Sequence, residues 1–389
     1  MSFFAPLNPQ PADALLALIG LFRNDPRSHK IDLGVGVFRD DAGKTPVMRA
    51  VKAAEHKLWE SQDSKSYLGP EGNVAFARHM ARLALGEVEL SGRLSGVQTP
   101  GGTGALRLAA ELVAATRPGA TVWVGTPTWP NHPPILAAAG LKMQTYRHFD
   151  PASQTLTFDA VMDALNKAQA GDVALLHGCC HNPTGADFSL DQWKAIAATL
   201  SERGIVPFLD LAYQGLGLGM EQDAAGVRLV MGACPEALIA YSCDKNFGVY
   251  RDRVGALIVQ TASAADSDRV SSNVLALARA NWSMPPDHGG AVIATLLDDP
   301  ALAADWKAEL DTMRDRLLGI RDALASHGGV LARVAEQRGM FSLLPLSPDV
   351  VKHLREDHAV YMAGSGRINI AGLSVETAGI FAKALAASL

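Results

Sequence analysis

The feature that most limits the fold is an alternation of short apolar runs with helical patterns between about residues 95 and 260. Apolar runs at 121–124, 173–176, 205–209 and 237–240 have the length of buried strands, and helical stretches lie between them. This order predicts an α/β protein with a mostly parallel central sheet and helices on both faces. Polar residues follow the predicted strands, at the edge where such sheets bind ligands.

The length of 389 residues is enough for a large core and two domains. We expect residues 1–44 to form an N-terminal arm and part of a small domain. We expect 45–300 to form the large, ligand-binding domain, and 301–389 a long connecting helix with the rest of a smaller α/β domain. A helical pattern over 12–22 indicates that the arm packs on a partner subunit rather than staying disordered.

The composition is that of an ordinary soluble enzyme, with 48% hydrophobic and 19% charged residues. A net charge of -5 argues against a nucleic-acid or membrane-surface partner. The sequence contains neither a signal-peptide pattern nor an apolar run near the roughly 20 residues that span a bilayer. The four cysteines lack metal-type spacing, so we predict reduced thiols in a cytoplasmic protein and no metal site.

The residue that most directly indicates chemistry is Lys245, which lies between the apolar runs 237–240 and 254–259. A buried lysine is costly unless it is paired or loses its charge. A Schiff base with an aldehyde removes the charge, and pyridoxal phosphate is the aldehyde cofactor that proteins use for this. The alternative at this point is a surface lysine without a chemical role.

Four other features are each ambiguous when taken alone. The glycine-rich turn at 98–107 leads into a helix, so its N–H groups either face a phosphate or simply start the helix. Residues 31–38 predict a short strand broken by two glycines, of which Gly36 either permits a close ligand approach or marks a bulge. Trp129 stacks on a flat ring or packs in the core. Asp210 pairs with a cation or a donor, or caps the next turn.

Taken together, four motifs resemble the aspartate/aromatic branch of the class I, fold-type I aminotransferases. They are H-G-C-C-H-N-P-T-G (177–185), S-x-x-K-N-F-G-x-Y-x-x-R (242–253), Q-T-P-G-G-T-G-A-L-R (98–107) and P-T-W-P-N-H (127–132). The resemblance covers essentially the whole chain, in order. It implies a homodimeric pyridoxal phosphate enzyme that moves the amino group of Tyr, Phe or Asp to 2-oxoglutarate by a ping-pong route.

The resemblance also implies the catalytic roles. Lys245 would bind the cofactor aldehyde and, once displaced, move the proton of the substrate. Asp210 would keep the pyridine nitrogen protonated. Tyr213 and Asn182 would donate hydrogen bonds to the phenolic oxygen of the ring, and Trp129 would stack on its face.

The remaining implied contacts concern the phosphate, the surroundings of Asp210 and the substrate. Phosphate contacts are implied for Gly102, Thr103, Ser242, Arg253 and, from the neighbouring subunit, Tyr67. His177 would support Asp210 from behind. Substrate contacts are implied for Gly36, Trp129, Asn182, Arg279 and Arg367. Arg367 would bind the α-carboxylate, and Arg279 would cross the dimer interface to a distal carboxylate.

Three residues depart from the family pattern. Asp244 stands before Lys245 in place of a serine, and its charge should weaken cofactor binding near the phosphate or hold the lysine charged. Met284 replaces a polar residue and makes the distal pocket less polar. Phe38 replaces a tyrosine and removes a hydroxyl. These changes bear on substrate preference more than on reaction type.

Substrate class stays open on the sequence alone. The sequence at 31–36 resembles that of broad-specificity aromatic aminotransferases. Val37, Arg39 and Thr45 instead resemble the residues of aspartate-preferring members. A strict aspartate aminotransferase is therefore an alternative, as is a pyridoxal phosphate-dependent decarboxylase or lyase on the same fold. A non-catalytic regulator is a third class, but it normally carries a DNA-binding domain, for which this chain has no basic region.

Overall fold

The computed structural model describes residues 2–10 and 14–389. Within these residues the largest sheet contains seven strands. They are β2 (Leu94–Pro100), β3 (Thr121–Thr126), β4 (Lys142–Arg147), β7 (Val173–His177), β8 (Val206–Leu211), β9 (Ala237–Ser242) and β10 (Val254–Gln260). Short strands form three further pairs: β1 (Ile31–Asp32) with β12 (Val360–Tyr361), β5 (Phe149–Asp150) with β6 (Thr155–Leu156), and β11 (Phe341–Leu343) with β13 (Arg367–Asn369).

The order across the large sheet is β2-β10-β9-β8-β7-β3-β4. The pairs from β9 through β8, β7 and β3 to β4 are parallel, whereas β10 is antiparallel to both of its neighbours. The predicted mostly parallel sheet is therefore confirmed, with one reversed strand inside it. Antiparallel neighbours need no long crossover, so the loop 243–253 returns directly from the carboxyl end of β9.

Helices pack against the large sheet and against the short strand pairs. They are α1 (Ala14–Asn24), α2 (Arg49–Ser61), α3 (Val74–Leu85), α4 (Gly101–Thr116), α5 (His132–Ala138), α6 (Phe158–Lys167), α7 (Leu190–Arg203), α8 (Met220–Ala233), α9 (Ala264–Trp282), α10 (Asp287–Asp298), α11 (Pro300–Ala325), α12 (Pro348–His358) and α13 (Val375–Ser388). Single 3₁₀ segments lie at Gly329–Glu336 and Ile370–Gly372. The long helix expected near the start of the range 301–389 is α11, which has 26 residues. The first residues of the helical pattern at 12–22 fall outside the described part of the chain.

Local sequence explains where these helices begin and end. The Ser189 side chain accepts the N–H of Gln192, whose own side chain accepts the N–H of Ser189, so a capping box starts α7. Gly204 ends the same helix with a φ of 65°. Asp299 caps α11 by accepting two N–H groups, and Pro300 follows in the first turn.

The strand predicted over 31–38 is shorter in the structure, where it ends at Asp32. The Asp32 carboxylate accepts the N–H groups of Gly34 and Val35 and also pairs with Arg39. These local bonds turn the backbone away from the β12 ladder.

The core lies on both faces of the large sheet. Phe208 belongs to the apolar cluster that contains α4, α5 and α9, whereas its neighbour Leu209 belongs to the cluster on the other face. Leu175 and Leu176 divide in the same way. Alternate residues of a strand point to opposite faces, so strands covered on both faces must be apolar throughout.

Among the residues described, we find no helix that combines the length and the apolar character needed to cross a membrane.

A fully buried arginine organises the chain between α11 and β11. Arg321 donates hydrogen bonds of 2.7–3.1 Å to the carbonyl oxygens of Val334, Arg338, Gly339 and Phe341, and one of 2.8 Å to a serine hydroxyl. Burial lowers the pKa of Arg321 to about 9. The guanidinium therefore replaces the water that these buried carbonyl groups would otherwise need.

We expect Arg321→Met to lower the free energy of unfolding by about 3 kcal/mol or more, because it leaves several buried acceptors without a donor. Urea unfolding of both proteins at neutral pH measures this. Arg333→Met is the matched control, since Arg333 is half-exposed and pairs with Glu336 at the surface, and it should change stability by less than about 0.5 kcal/mol. Equal losses in the two variants would contradict the role of Arg321.

Candidate active site

The candidate site is a cavity of about 140 Å³ at the carboxyl ends of the parallel strands. Ten of the residues singled out from the sequence line it: Gly102, Thr103, Trp129, His177, Asn182, Asp210, Tyr213, Ser242, Lys245 and Arg253. They come from five separate parts of the chain. Parallel strands bring their carboxyl ends to one edge of the sheet, so residues distant in sequence converge there.

Asp210 is a buried carboxylate that stays charged. Burial alone would raise the pKa of Asp210, but a hydrogen bond with His132, together with charge interactions that include Lys245, lowers it below its ordinary value. The Nε2 atom of His132 lies 3.0 Å from an Asp210 oxygen, and its Nδ1 atom lies 2.8 Å from the hydroxyl of Thr128. Asp210 is therefore an anion held in place and suited to a protonated ring nitrogen.

Three further histidines extend behind His132. The ring of His177 lies 5.1 Å from that of His132 and 4.1 Å from that of His181, which stacks on His148 at 4.1 Å. Burial, with nearby histidines, lowers the pKa of His177 to about 3, and burial lowers that of His148 to about 4. Both rings are neutral at pH 7 and support the site by packing. His177 and Asp210 are paired positions on β7 and β8, which explains their closeness.

Lys245 and Tyr213 face each other across the cavity. The Nζ atom of Lys245 lies 5.3 Å from the centre of the Tyr213 ring. Asn182 donates to the Tyr213 hydroxyl at 3.4 Å, while its own Oδ1 atom is buried without a hydrogen-bond partner among the described residues. Burial raises the pKa of Tyr213 well above its ordinary value, so the phenol keeps its proton as a donor. The Asn182 Oδ1 atom and the Tyr213 hydroxyl are therefore available to form hydrogen bonds with a polar ring.

An anion cradle lies at the start of α4. A Cβ atom at Gly101 would lie 2.6 Å from the guanidinium of Arg253, and one at Gly102 would lie 2.8 Å from the side chain of Ser242. Only glycine permits this close approach. Pro100 precedes α4, and its side chain has no atom that could accept a hydrogen bond from the first turn of the helix. The N–H groups of Gly102 and Thr103 are therefore available to bind a ligand. These groups fit a phosphate.

A second cationic region adjoins the cavity through Phe341. The guanidinium of Arg367 lies 4.5 Å from the centre of the Phe341 ring and donates to the carbonyl oxygen of Gly34 at 3.0 Å. Phe341 contacts Tyr213 with ring centres 6.0 Å apart, and a Cβ atom on Gly36 would lie 3.0 Å from the same ring. Burial lowers the pKa of Arg367, yet arginine remains charged at pH 7.

Besides Gly36 and Arg367, which adjoin the cavity through Phe341, four other residues discussed for the cofactor or the substrate pocket do not line the cavity. Tyr67 is 92% exposed, and Arg279 is exposed near the end of α9. Phe38 is buried, and its N–H donates to the hydroxyl of Tyr250; Met284 lies in the turn after α9. Within a single chain, none of them reaches the ring-binding part of the site.

Sequence reasoning missed the roles of His132 and Phe341. His132 ends the motif P-T-W-P-N-H at 127–132, and its position just after a strand end was the available signal. Phe341 stands in Gly-Met-Phe at 339–341, far from the other motifs in sequence. Its position between Arg367 and Tyr213 arises from the β11–β13 pairing, which no local pattern indicates.

The family model for aminotransferase class I and II matches residues 28–385 of this chain. The protein belongs to this family. Among curated proteins, the tyrosine aminotransferase of Rhizobium meliloti (strain 1021) is 54% identical over 96% of this chain and 97% of its own length. The aromatic-amino-acid aminotransferase of Paracoccus denitrificans is 47% identical (97% and 98% covered), and the aspartate aminotransferase of Escherichia coli (strain K12) is 43% identical (99% and 100%).

Solved structures agree with this aminotransferase in fold. An aromatic-amino-acid aminotransferase from Burkholderia pseudomallei, covalently bound to pyridoxal phosphate, superposes with a TM-score of 0.97 at 37% identity and covers both chains completely. An aromatic amino acid aminotransferase with 3-indolebutyric acid gives 0.96 at 46% identity, covering 99% of this chain and 100% of the other. The predicted fold-type I architecture is confirmed.

The buried histidines of this aminotransferase predict a specific pH dependence of stability. The pKa of His148 is lower in the folded state, about 4, than the ordinary value of 6.5, so the unfolded chain binds a proton first as pH falls. The stability that depends on a neutral His148 is present above pH 6.5 and is lost as the pH falls toward 4. Between pH 7 and pH 5, the free energy of unfolding should therefore fall by about 2 kcal/mol less in His148→Phe than in wild type.

Urea unfolding at both pH values measures the difference. Phenylalanine keeps a ring against His181 and Phe188, which the histidine ring contacts. His353→Phe is the control, because His353 is exposed on α12. This variant should show the same change in the free energy of unfolding with pH as wild type. A pH dependence in His148→Phe equal to or steeper than that of wild type would contradict the prediction.

Proposed function

We propose that this aminotransferase moves the amino group of aromatic and acidic L-amino acids (tyrosine, phenylalanine and aspartate) to 2-oxoglutarate by a ping-pong mechanism. The products are the 2-oxo acid and L-glutamate. The observation that carries the proposal is the arrangement of Lys245, Tyr213 and the charged Asp210 around one cavity that ends in an anion cradle. The names of the relatives, which include tyrosine, aromatic-amino-acid and aspartate aminotransferases, support this range of substrates.

We infer that the cofactor is pyridoxal phosphate. The cavity lining combines a buried carboxylate, a lysine and an arginine next to a helix N-terminus, and these groups match the ring nitrogen, the aldehyde and the phosphate of this molecule. Trp129 also lines the cavity and is oriented edge-to-face against His132. When bound, the cofactor supplies an acceptor for the electrons released at the substrate α-carbon.

The residues of the chain then have separable tasks. Asp210 holds a proton on the ring nitrogen, because His132 keeps its carboxylate charged. The Nζ atom of Lys245 would take the proton from the α-carbon of the amino acid and deliver it to the carbon that carries the aldehyde in the free cofactor. The Tyr213 hydroxyl, kept protonated by burial, donates a hydrogen bond to the ring oxygen together with the Asn182 amide.

Substrate binding depends on two arginines. Arg367 is largely buried against Phe341, and its planar fork suits the α-carboxylate, with the Gly36 N–H nearby. Arg279 of a second subunit would bind the distal carboxylate of an acidic substrate. An aromatic substrate would instead pack on apolar surface, to which Met284 contributes.

The proposal includes a homodimer with shared sites, because Tyr67 and Arg279 are exposed and lie outside their own cavity. It also includes the division into 1–44, 45–300 and 301–389. The pairing of β1 with β12, which joins the first range to the last, supports a small domain built from both ends of the chain. Four cysteines without disulfide partners support a cytoplasmic location.

The substrate range is tested by half-reactions of the cofactor-loaded protein with aspartate, phenylalanine and tyrosine, each added singly. We expect all three to convert the cofactor absorbance to that of its amine form. Lys245→Ala should slow each conversion by about 10²-fold or more, because the proton carrier is lost. Lys383→Ala, an exposed lysine on α13, is the control and should react like wild type.

Other outcomes identify other functions. Conversion by aspartate alone would indicate a strict aspartate aminotransferase. Release of carbon dioxide or ammonia without amine-form cofactor would indicate a decarboxylase or lyase. A rate unaffected by Lys245→Ala would contradict the assignment of the lysine.

Shared sites are tested by mixing two inactive chains. If Arg279 serves the partner's site, a dimer of one Lys245→Ala chain and one Arg279→Ala chain contains one complete site. A refolded equal mixture should then regain about one quarter of wild-type aspartate activity, because half of random dimers are mixed. Lys245→Ala mixed with Asp210→Asn is the control, since both residues lie in the same chain's cavity, and it should regain none. Absence of rescue in the first mixture would refute shared sites.

A further inference from the structure

A carboxylate lies inside the anion cradle. Asp244 lines the same cavity as Gly102 and Thr103 and is buried. Its Oδ2 atom lies 2.9 Å from Nη1 of Arg253, and its Oδ1 atom is buried without a hydrogen-bond partner among the described residues. A negative group therefore occupies a place whose other features all favour a bound anion.

We propose that Asp244 is an internal anion that competes with a bound phosphate group for Arg253 and so sets the affinity of the site for phosphate-bearing ligands. This inference rests on the proposed function, because that function names the phosphate of the cofactor as the occupant of the cradle. It goes further by assigning one residue of the chain as the determinant of how tightly that group is held.

The hydrogen bonds of Arg253 support the competition. Its Nη1 atom donates both to Asp244 and to the carbonyl oxygen of Tyr250, at 2.9 and 3.0 Å. Its Nη2 atom is directed at the start of α4, where it approaches the position of a Cβ atom on Gly101 to 2.6 Å. The guanidinium thus lies between the carboxylate and the helix N-terminus. A phosphate bound at that N-terminus meets an arginine whose charge Asp244 has already compensated.

Geometry also distinguishes this role from an effect on the lysine. The Oδ2 atom of Asp244 is 3.7 Å from Nζ of Lys245, beyond hydrogen-bond distance, compared with 2.9 Å to Arg253. The effect of Asp244 should consequently depend on the phosphate group of a ligand and not on its aldehyde. Because the ion pair compensates Arg253 without any ligand, it also stabilises the loop 243–253 in the cofactor-free protein.

The experiment compares three ligands on the full chain stripped of cofactor. Inorganic phosphate carries the phosphate alone, pyridoxal carries the aldehyde alone, and pyridoxal phosphate carries both. We expect Asp244→Ser to tighten binding of inorganic phosphate and of pyridoxal phosphate by about tenfold or more, and to leave the pyridoxal dissociation constant within about twofold. Asp244→Asn removes the charge with little change in shape and should shift the constants in the same direction.

Two controls complete the design. Asp252→Ser removes a carboxylate from the same loop outside the cavity lining and should leave all three dissociation constants unchanged. Thermal unfolding without ligand should show lower midpoints for both Asp244 variants than for wild type, since Arg253 loses its partner. Asp244→Asn keeps the test decisive if the serine variant does not fold.

Two results would overturn the inference, and a third would overturn only the proposed cofactor. Equal changes for pyridoxal and pyridoxal phosphate would show that Asp244 acts on Lys245. Unchanged or weaker binding of inorganic phosphate in both variants would show that the carboxylate does not compete. Failure of every protein to bind pyridoxal phosphate, with tighter inorganic phosphate in the variants, would refute the proposed cofactor and leave the competition standing.

Discussion

The chemistry of this protein depends on a carboxylate that is removed from water and nevertheless stays charged. Burial opposes the anionic form of Asp210, and the His132 ring overcomes that cost with a hydrogen bond of 3.0 Å. His132 is itself held by Thr128 and backed by the neutral His177. Asp210 could therefore stabilise a cationic ring nitrogen at this edge of the sheet, as the proposed cofactor chemistry requires.

The reversed strand β10 is the second structural requirement. A parallel strand after β9 would need a crossover helix, whereas an antiparallel neighbour is reached by the loop 243–253 alone. That loop brings Lys245, Asp244 and Arg253 to the carboxyl edge within nine residues of one another. The same short connection thus places the lysine proposed to react with the cofactor, the arginine proposed to bind its phosphate and the carboxylate that pairs with this arginine. One loop would therefore couple cofactor chemistry to cofactor affinity.

Much of the fold and the site was predictable, for identifiable reasons. The apolar strands were visible because both faces of the sheet are covered, and ten site residues were visible because they stand in motifs directly after strands. The short strand at Ile31 was overestimated, because side-chain bonds of Asp32 interrupt the ladder. The position of Phe341 was not predictable, since it depends on pairing of β11 with β13.

The sequence by itself determined the α/β class, the family and the residue types available for catalysis, because these depend on local periodicity and on short motifs. Only the tertiary structure decided which groups interact. It places Asp244 on Arg253 at 2.9 Å rather than on the adjacent Lys245, which lies 3.7 Å away, and it joins Arg367 to Tyr213 through Phe341. Charge interactions and packing depend on distances between segments that are remote in sequence, and folding alone sets those distances.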